Sequence, residues 1–179
     1  MATVAAYLAG CIDIDDGAAP WSDADRADGA PDGASATSEL AAMSTNRIRA
    51  DTYGLGLSLP AGGTYNGLTV VLRLGASLAT DAMLLHAQLI DNGDSPIGDE
   101  KSVAVVNSAL ANYTLGGPAD TWGVSAAALV NARIEFFITT LLSLPTYILD
   151  AGTMTLTYTP GAWRSGRLSR TSRPAFGVR

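Results

Sequence analysis

Cysteine, histidine and lysine are nearly absent from this chain: Cys11, His86 and Lys101 are the single examples of each. One cysteine excludes an internal disulfide framework. Cys11 has no base near it in sequence and reads as a small buried hydrophobe, the common fate of a free thiol. A lone histidine and a lone cysteine leave a zinc site without its usual ligands, so His86 reads as a satisfied or exposed residue on the polar side of a strand. Glutamate is scarce too, at Glu39, Glu100 and Glu135. Glu100 borders Lys101 in a turn and Glu135 lies on the polar side of a strand. Nothing brings two acids to one sugar site, as glycoside hydrolysis requires. No enzyme and no cofactor is expected. The longest strongly apolar uncharged run, 136–149, holds about 14 residues and is broken by Pro145, short of the roughly 20 a membrane helix needs. The start, MATVAAYLAGCIDIDD, has no basic segment before its apolar stretch, so neither a signal peptide nor a membrane partner is expected, and folding is expected in a reducing cytoplasm.

What the chain does have is apolar bulk and an uneven charge. Of 179 residues 47% are hydrophobic and 16% charged, against about 25% charged in an average domain. A domain of this length buries about 70% of its unfolded surface. Residues 1–160 carry six basic and seventeen acidic residues, a net charge of −11, whereas 161–179 carry five arginines and no acid. The division marks a domain, 1–160, followed by an arginine-rich C-terminal arm, 161–179. An acidic body makes nucleic acid an unfavoured partner.

The body has the period of two that belongs to half-buried strands. Leu68, Val70, Leu72, Leu74, Ala76 and Leu78 share one phase; Met83, Leu85, Ala87 and Leu89 repeat it; Ala132, Ile134, Phe136 and Ile138 do so again. Met154, Leu156 and Tyr158 alternate with Thr153, Thr155, Thr157 and Thr159. Shorter strands are expected at 53–59, 101–106 and 110–116. Pro60-Ala61-Gly62-Gly63 and Asn66-Gly67 bracket a corner, Asp91-Asn92-Gly93-Asp94 closes a hairpin through the positive φ that Asn-Gly tolerates, and Gly116-Gly117-Pro118 ends a strand. Ser125 caps one helical turn at 125–131. Residues 15–39, with Trp21 as the one large side chain, read as a long acidic loop with little regular structure. The fold class is all-β: an antiparallel sandwich, jelly-roll-like, with that loop and the arm attached.

Three constellations are candidates for function. Asp28, Asp32, Gly33 and Glu39 fall at positions 1, 5, 6 and 12 of a calcium-loop template, although Ala30 stands at position 3 and no helices flank the segment; turn-forming aspartates are the competing reading. The arm carries Arg164, Arg167, Arg170 and Arg173 at a spacing of three, with Trp163, Leu168, Phe176 and Val178 among them. Arginine pairs bidentately with carboxylate or phosphate, and the apolar residues would anchor such an arm on a neighbouring subunit. Val71, Leu84, Ile90, Phe137 and Leu141 occupy the phase that should meet water, which points either to neighbours covering that face or to segment 2–14 covering it within the chain.

The run from Tyr113 through Leu-Gly-Gly-Pro-Ala-Asp120-Thr-Trp122-Gly123, then Leu129-Val130-Asn131, the strand Arg133-Ile-Glu-Phe-Phe-Ile138 and the close Asp150 to Pro160 form a pattern. Upstream stand Trp21, Asp32-Gly33-Ala34 and the stretch from Tyr53 through Pro60 to Asn66-Gly67-Leu68. Together they resemble the β-sandwich modules of tailed-bacteriophage virion proteins and of some bacterial surface proteins, over about residues 20–160. Ala128 stands where that pattern often has an acidic residue. The resemblance implies that Trp122 plugs the end of the sandwich and that Asn131 and Asp150 fix turns; it brings no catalytic residues. The expected function is that of a structural, non-enzymatic subunit on the virion exterior, a head decoration or a neck or tail-fibre component, assembled in the host cytoplasm. Its partners would be other virion proteins and copies of itself, as a trimer or ring. The alternative is a glycan-binding adhesion module of a phage fibre or bacterial surface, using Trp21, Tyr65 and Trp163 as sugar platforms for a host glycan.

Overall fold

The computed structural model describes residues 1–39, 43–51, 57–77, 83–106, 108–140 and 145–161. Eleven strands are assigned among them: β1 (Ala2–Tyr7), β2 (Cys11–Ile14), β3 (Trp21–Ser22), β4 (Ala36–Glu39), β5 (Arg47–Ala50), β6 (Thr64–Ala76), β7 (Met83–Ile90), β8 (Pro96–Ala104), β9 (Ala111–Gly116), β10 (Arg133–Thr140) and β11 (Thr146–Thr159). One helical turn, α1 (Ala126–Leu129), precedes β10. The strands form two sheets, ordered β3-β4-β11-β6-β9 and β2-β5-β10-β7-β8, with β1 added beside β11. Every strand pairing is antiparallel. From β4 onward the chain winds between the sheets to give β4-β11-β6-β9 facing β5-β10-β7-β8, the eight-strand double-sheet order of a jelly roll.

The core is made by the alternation legible in the sequence. Leu68, Val70, Leu72 and Leu74 from β6 meet Leu85, Ala87 and Leu89 from β7, Ile134, Phe136 and Ile138 from β10, and Met154 and Leu156 from β11. A side-chain period of two fixes register strongly when one face must be buried. Where bulges insert a residue, the phase slips. The β7–β8 register shifts between Ala87 and Leu89, with the extra residues in β8; Ile90 keeps its outer phase, opposite Arg133 of β10 and outside the core cluster, and is covered there, 1% exposed. Gln88 fills the irregularity, its amide donating to the Leu89 and Ile97 carbonyls, each at 2.9 Å. A second shift, at Thr157/Tyr158, leaves Asn66 of β6 as the extra residue, and Thr157 beside it is buried.

Several local expectations are corrected. Asn66-Gly67 is not a corner but lies inside β6 beside the Thr157/Tyr158 bulge. Asp150 does not fix a turn: it sits within β11 at the Leu149/Ala151 register shift, buried, with Arg73 Nη1 3.3 Å from its carboxylate. In the 91–94 hairpin the positive φ belongs to Asp94 (φ 61), not to Asn92 or Gly93; Asp91 Oδ1 accepts from the Gly93 and Ser95 amides at 2.8 and 3.0 Å. Segment 2–14 covers neither sheet face. Its two strands extend an edge of each sheet, β1 on β11 and β2 on β5. The expected strand 53–59 lies partly outside the described residues, and 57–59 is not strand.

The acidic segment 15–39 is more ordered than its composition announces. It holds β3, β4 and a 3-10 turn at Ala24–Ala27, with Ala19, Trp21, Ala24, Ala27 and Ala36 buried. Asn46 organises its start: its side-chain oxygen accepts from Ala18 N (3.0 Å), its amide nitrogen donates to Asp13 (3.0 Å), and its carbonyl accepts from the Trp21 indole (2.9 Å).

Trp122 sits between the two sheets at one end of the sandwich. It is fully buried, its indole donates to the Leu68 carbonyl at 2.8 Å, and its own carbonyl accepts from Asp99 N at 2.8 Å. One residue thus ties β6 of the first sheet to β8 of the second. Its backbone is left-handed (φ 54), a costly conformation for a bulky residue. Two glycines make the fit possible. A Cβ at Gly116 would stand 2.2 Å from the indole nitrogen, and one at Gly98 2.0 Å from the Trp122 carbonyl. Trp122→Ala should therefore lower unfolding free energy by about 3–5 kcal/mol, read as a lower urea midpoint. An unshifted midpoint would show that the indole does not tie the sheets.

Candidate functional site

The densest polar cluster covers the outer face of the β5-β10-β7-β8 sheet. Residues of β5 and β10 that alternate with core positions point outward here, so Arg47, Arg49, Arg133 and Glu135 meet across the β5–β10 pair. Glu135 accepts from Arg49 Nε at 3.0 Å and Nη2 at 2.7 Å, and from Arg47 Nη1 at 3.2 Å. Arg47 also pairs with Asp16 at 3.4 Å, Arg49 with Asp94 at 3.0 Å, and Arg133 with Asp51 and Asp94. Glu135, Arg49 and Arg133 are each at least nine-tenths buried although they lie outside the core. They cover one another.

The same face continues toward the sheet edge. The guanidinium of Arg47 lies 4.5 Å over the Phe137 ring, and His86 stacks on that ring at 4.6 Å and 6°. His86 Nδ1 lies 2.8 Å from Glu100, and Nε2 lies 2.8 Å from the Thr139 hydroxyl. Carboxylate, imidazole and hydroxyl stand in the order of a nucleophile relay. The trio reads as part of a ladder that glues four strands across their outer face. Phe137, expected to dock a partner, has its ring occupied within the chain. Leu84 is 36% exposed on the same sheet, Val71 is half-buried, and Leu141 lies outside the described residues.

A second feature is apolar. A groove of about 520 Å³ runs along the end of the sandwich beside the Trp122 plug, between the 57–63 turn and α1. Leu57, Leu59, Tyr65, Leu129, Val130 and Leu156 line it. Gly63 N donates to Pro60 O at 2.9 Å to close the turn, and Ser125 Oγ accepts from Ala128 N at 3.3 Å to cap α1. The Tyr65 hydroxyl donates to the Thr121 carbonyl at 3.2 Å; burial, with the Asp120 carboxylate nearby, pushes its pKa up to about 12. Val130 is 65% exposed. The backbone of Gly161 lies against that of Gly62 in the groove wall, so close that a Cβ at 161 would stand 2.4 Å from the Gly62 carbonyl oxygen.

The structure does not bring the calcium candidates together. Asp28 accepts from the Gly10 and Cys11 amides at 3.0 and 2.7 Å, Asp32 accepts from Ala34 N at 2.8 Å, and Glu39 is exposed on β4. The competing reading as turn and loop ties holds for Asp28 and Asp32. No cluster of three metal-ligating side chains occurs among the described residues. Trp21 is corrected as a sugar platform, because it is 6% exposed with its indole bonded to Asn46. Asn131 is exposed and its amide closes the turn after α1 on the Ala128 carbonyl at 3.4 Å. Cys11 is buried, as expected; burial first, then the bond to Asp28 and its charge, push the thiol far above its usual range. Trp163, Arg164, Arg167, Leu168, Arg170, Arg173 and Phe176 lie outside the described residues.

The Arg49–Glu135–Arg47 cluster is not evident from the sequence, in which Glu135 is simply a polar residue on the outer face of a strand. The available signal was the matching alternation of Arg47-Ile-Arg49 and Arg133-Ile-Glu135. Glu135→Ala should cost about 3–5 kcal/mol, because it strands buried guanidiniums, whereas removing Arg26, which makes an exposed pair with Asp23, should change stability by less than about 0.5 kcal/mol; equal urea midpoints for the two variants would refute the difference. Asp120 gives a pH test. Burial pushes its carboxyl up, but the bond from Trp122 N and the bond and charge of Lys101 outweigh it and leave the pKa below the usual value. Its stabilisation is therefore full above the ordinary carboxylate pKa and disappears as pH falls through the lower folded value. The stability gap between wild type and Asp120→Asn should be constant near neutral pH and should close on acidification.

No family model matches the sequence, and no curated protein matches it. Among solved structures, the chain is similar to the enzymatically active domain of tailspike protein 4 of bacteriophage CBA120, at 8% identity over 84% of this chain and 19% of that one, with a TM-score of 0.43. It is also similar to a family two carbohydrate esterase from Cellvibrio japonicus, at 11% identity over 90% of this chain and 36% of that one, with a TM-score of 0.38. This chain thus spans well under two thirds of either protein, and likeness at this level carries no argument about its function.

Proposed function

We propose that this chain is a structural, non-enzymatic subunit of a tailed-bacteriophage particle, on the virion exterior as a head decoration or a neck or tail-fibre component, acting by repeated association. The observation that carries the reading is the distribution of charge. All six cations of residues 1–160 (Arg26, Arg47, Arg49, Arg73, Lys101 and Arg133) are in ion pairs. The excess acids remain on the surface: Asp15, Asp25, Asp32 and Glu39 are exposed and make no ion pair among the described residues. The five arginines of 161–179 are the complement that this surface lacks. An arm on one copy meeting an acidic surface on another is a heterologous contact, which closes into a ring or trimer when the rotation permits. The resemblance to phage virion sandwiches over residues 20–160 and the jelly-roll order supply the setting.

Sedimentation of the full chain and of a chain ending at residue 161 tests this. The full chain should associate with itself or with virion proteins, less so at high salt because exposed charges are screened within about 10 Å at 0.1 M, and the shortened chain should not. A full chain that stays monomeric and binds no virion protein would refute the proposal. For the glycan-binding alternative, Tyr65 in the groove is the one expected platform residue both described and partly accessible. Host-glycan binding that is lost in Tyr65→Ala and indifferent to removal of the arm would favour it.

A further inference from the structure

We infer that the outer face of the first sheet carries a binding site for one neutral sugar ring, built around Arg73 and flanked by Tyr7. A pocket of about 170 Å³ opens there, well below the roughly 300–1,000 Å³ of pockets for drug-sized ligands, and offers room for a single ring. The strand register builds it from two neighbouring rows. Tyr7, Thr153 and Val71 lie side by side across β1, β11 and β6, and Ala151, Arg73 and Asn112 across β11, β6 and β9. The shift at Leu149/Ala151 sets the small Ala151 beside Arg73, which leaves the depression, and buries Asp150. Asp150 is the telling group. Its side chain is fully buried, neither carboxylate oxygen has a hydrogen-bond donor among the described residues, and the cation it meets is Arg73, with Nη1 at 3.3 Å. A buried carboxylate so poorly supplied is costly to the fold; what it does is hold one end of the Arg73 guanidinium. The Arg73 side chain is 41% exposed, lines the pocket and has no other ion-pair partner among the described residues, so its fork keeps N–H donors for a ligand oxygen. Asn112 and Thr153 add an amide and a hydroxyl, each able to donate and accept. Tyr7, half exposed, and Pro31 supply apolar rims, and an aromatic face suits the C–H side of a sugar ring. Charge decides the class of ligand. Asp150 already balances Arg73, no second cation lines the pocket, Asp32 stands exposed beside Pro31, and the body is net negative. An anion would meet repulsion there, whereas a neutral hydroxylated ring would not. The site involves neither the arm nor Tyr65, so it stands whether or not the chain assembles as proposed.

Saturation-transfer NMR on the full chain tests it, with methyl glucoside, methyl galactoside and methyl mannoside as neutral probes and methyl glucuronide as the anionic one. At least one neutral glycoside should bind with a dissociation constant on the order of millimolar, the scale that so few atoms supply, and the glucuronide should bind more weakly. Arg73→Ala strands Asp150 and risks unfolding, so Arg73→Lys is used: it keeps the charge beside Asp150 and removes the fork. Tyr7→Ala changes a half-exposed edge residue and guards against failure of the first variant to fold, which circular dichroism checks. Each folded variant should weaken binding about tenfold, the scale of one hydrogen bond to a charged group or one stacked ring, whereas Tyr65→Ala should bind as the unaltered chain does. Four results would each overturn the inference: no saturation transfer to any neutral glycoside, tighter binding of the glucuronide, binding unchanged in either folded variant, or binding lost in Tyr65→Ala, which would move the sugar to the groove. Association of the chain, measured separately by sedimentation, bears on the assembly proposal and not on this site.

Discussion

Two sheets that share only an oily interface need a fixed end, and here one indole supplies it. Trp122 reaches across the mouth of the sandwich to the Leu68 carbonyl of β6 in the first sheet while its own carbonyl holds β8, at the edge of the second. The arrangement forces the tryptophan backbone into a left-handed conformation and forces glycine at 98 and 116, where side chains would collide with it. The loop that delivers Trp122 also delivers α1. The plug and the groove are therefore one construction: fixing the end of the sandwich places Leu129 and Val130 opposite the 57–63 turn.

The outer face of the second sheet shows how an acidic protein handles its few cations. Arg47, Arg49 and Arg133 lie over the strands, each with at least two acidic neighbours, and they draw Asp16, Asp51 and Asp94 from loops onto the sheet. Buried charges of this kind stabilise only when nearly every partner is supplied, which the Glu135 cluster does. The consequence is global. With its cations engaged internally, the body presents net negative charge, and the cationic arm is electrostatically matched to such a body, whether its own or a neighbour's.

Much of this was legible in the sequence because it depends on local rules. Period-two alternation gave the core faces of β6, β7 and β10, the Pro60–Gly63 turn and Ser125 cap were marked by their own chemistry, and Cys11 needed only its isolation. The bulges were not legible. An insertion such as Asp150 in β11, Asn66 in β6 or the extra residues within 98–100 of β8 depends on what the paired strand does, so no local pattern marks it. Asn66-Gly67, a turn signal in isolation, was absorbed into a long strand for the same reason.

What the sequence determined by itself is the class of the fold, the inner face of each long strand and the segregation of charge into body and arm, since these follow from side-chain period and composition alone. Tertiary structure decided which polar residues meet. Asp28 ties down the N-terminal segment instead of joining Asp32 and Glu39, Trp21 turns inward onto Asn46, and Phe137 lies beneath Arg47 and His86. Each of these pairings joins residues far apart in sequence, and pairing across that distance is set by strand order and register, which no local pattern encodes.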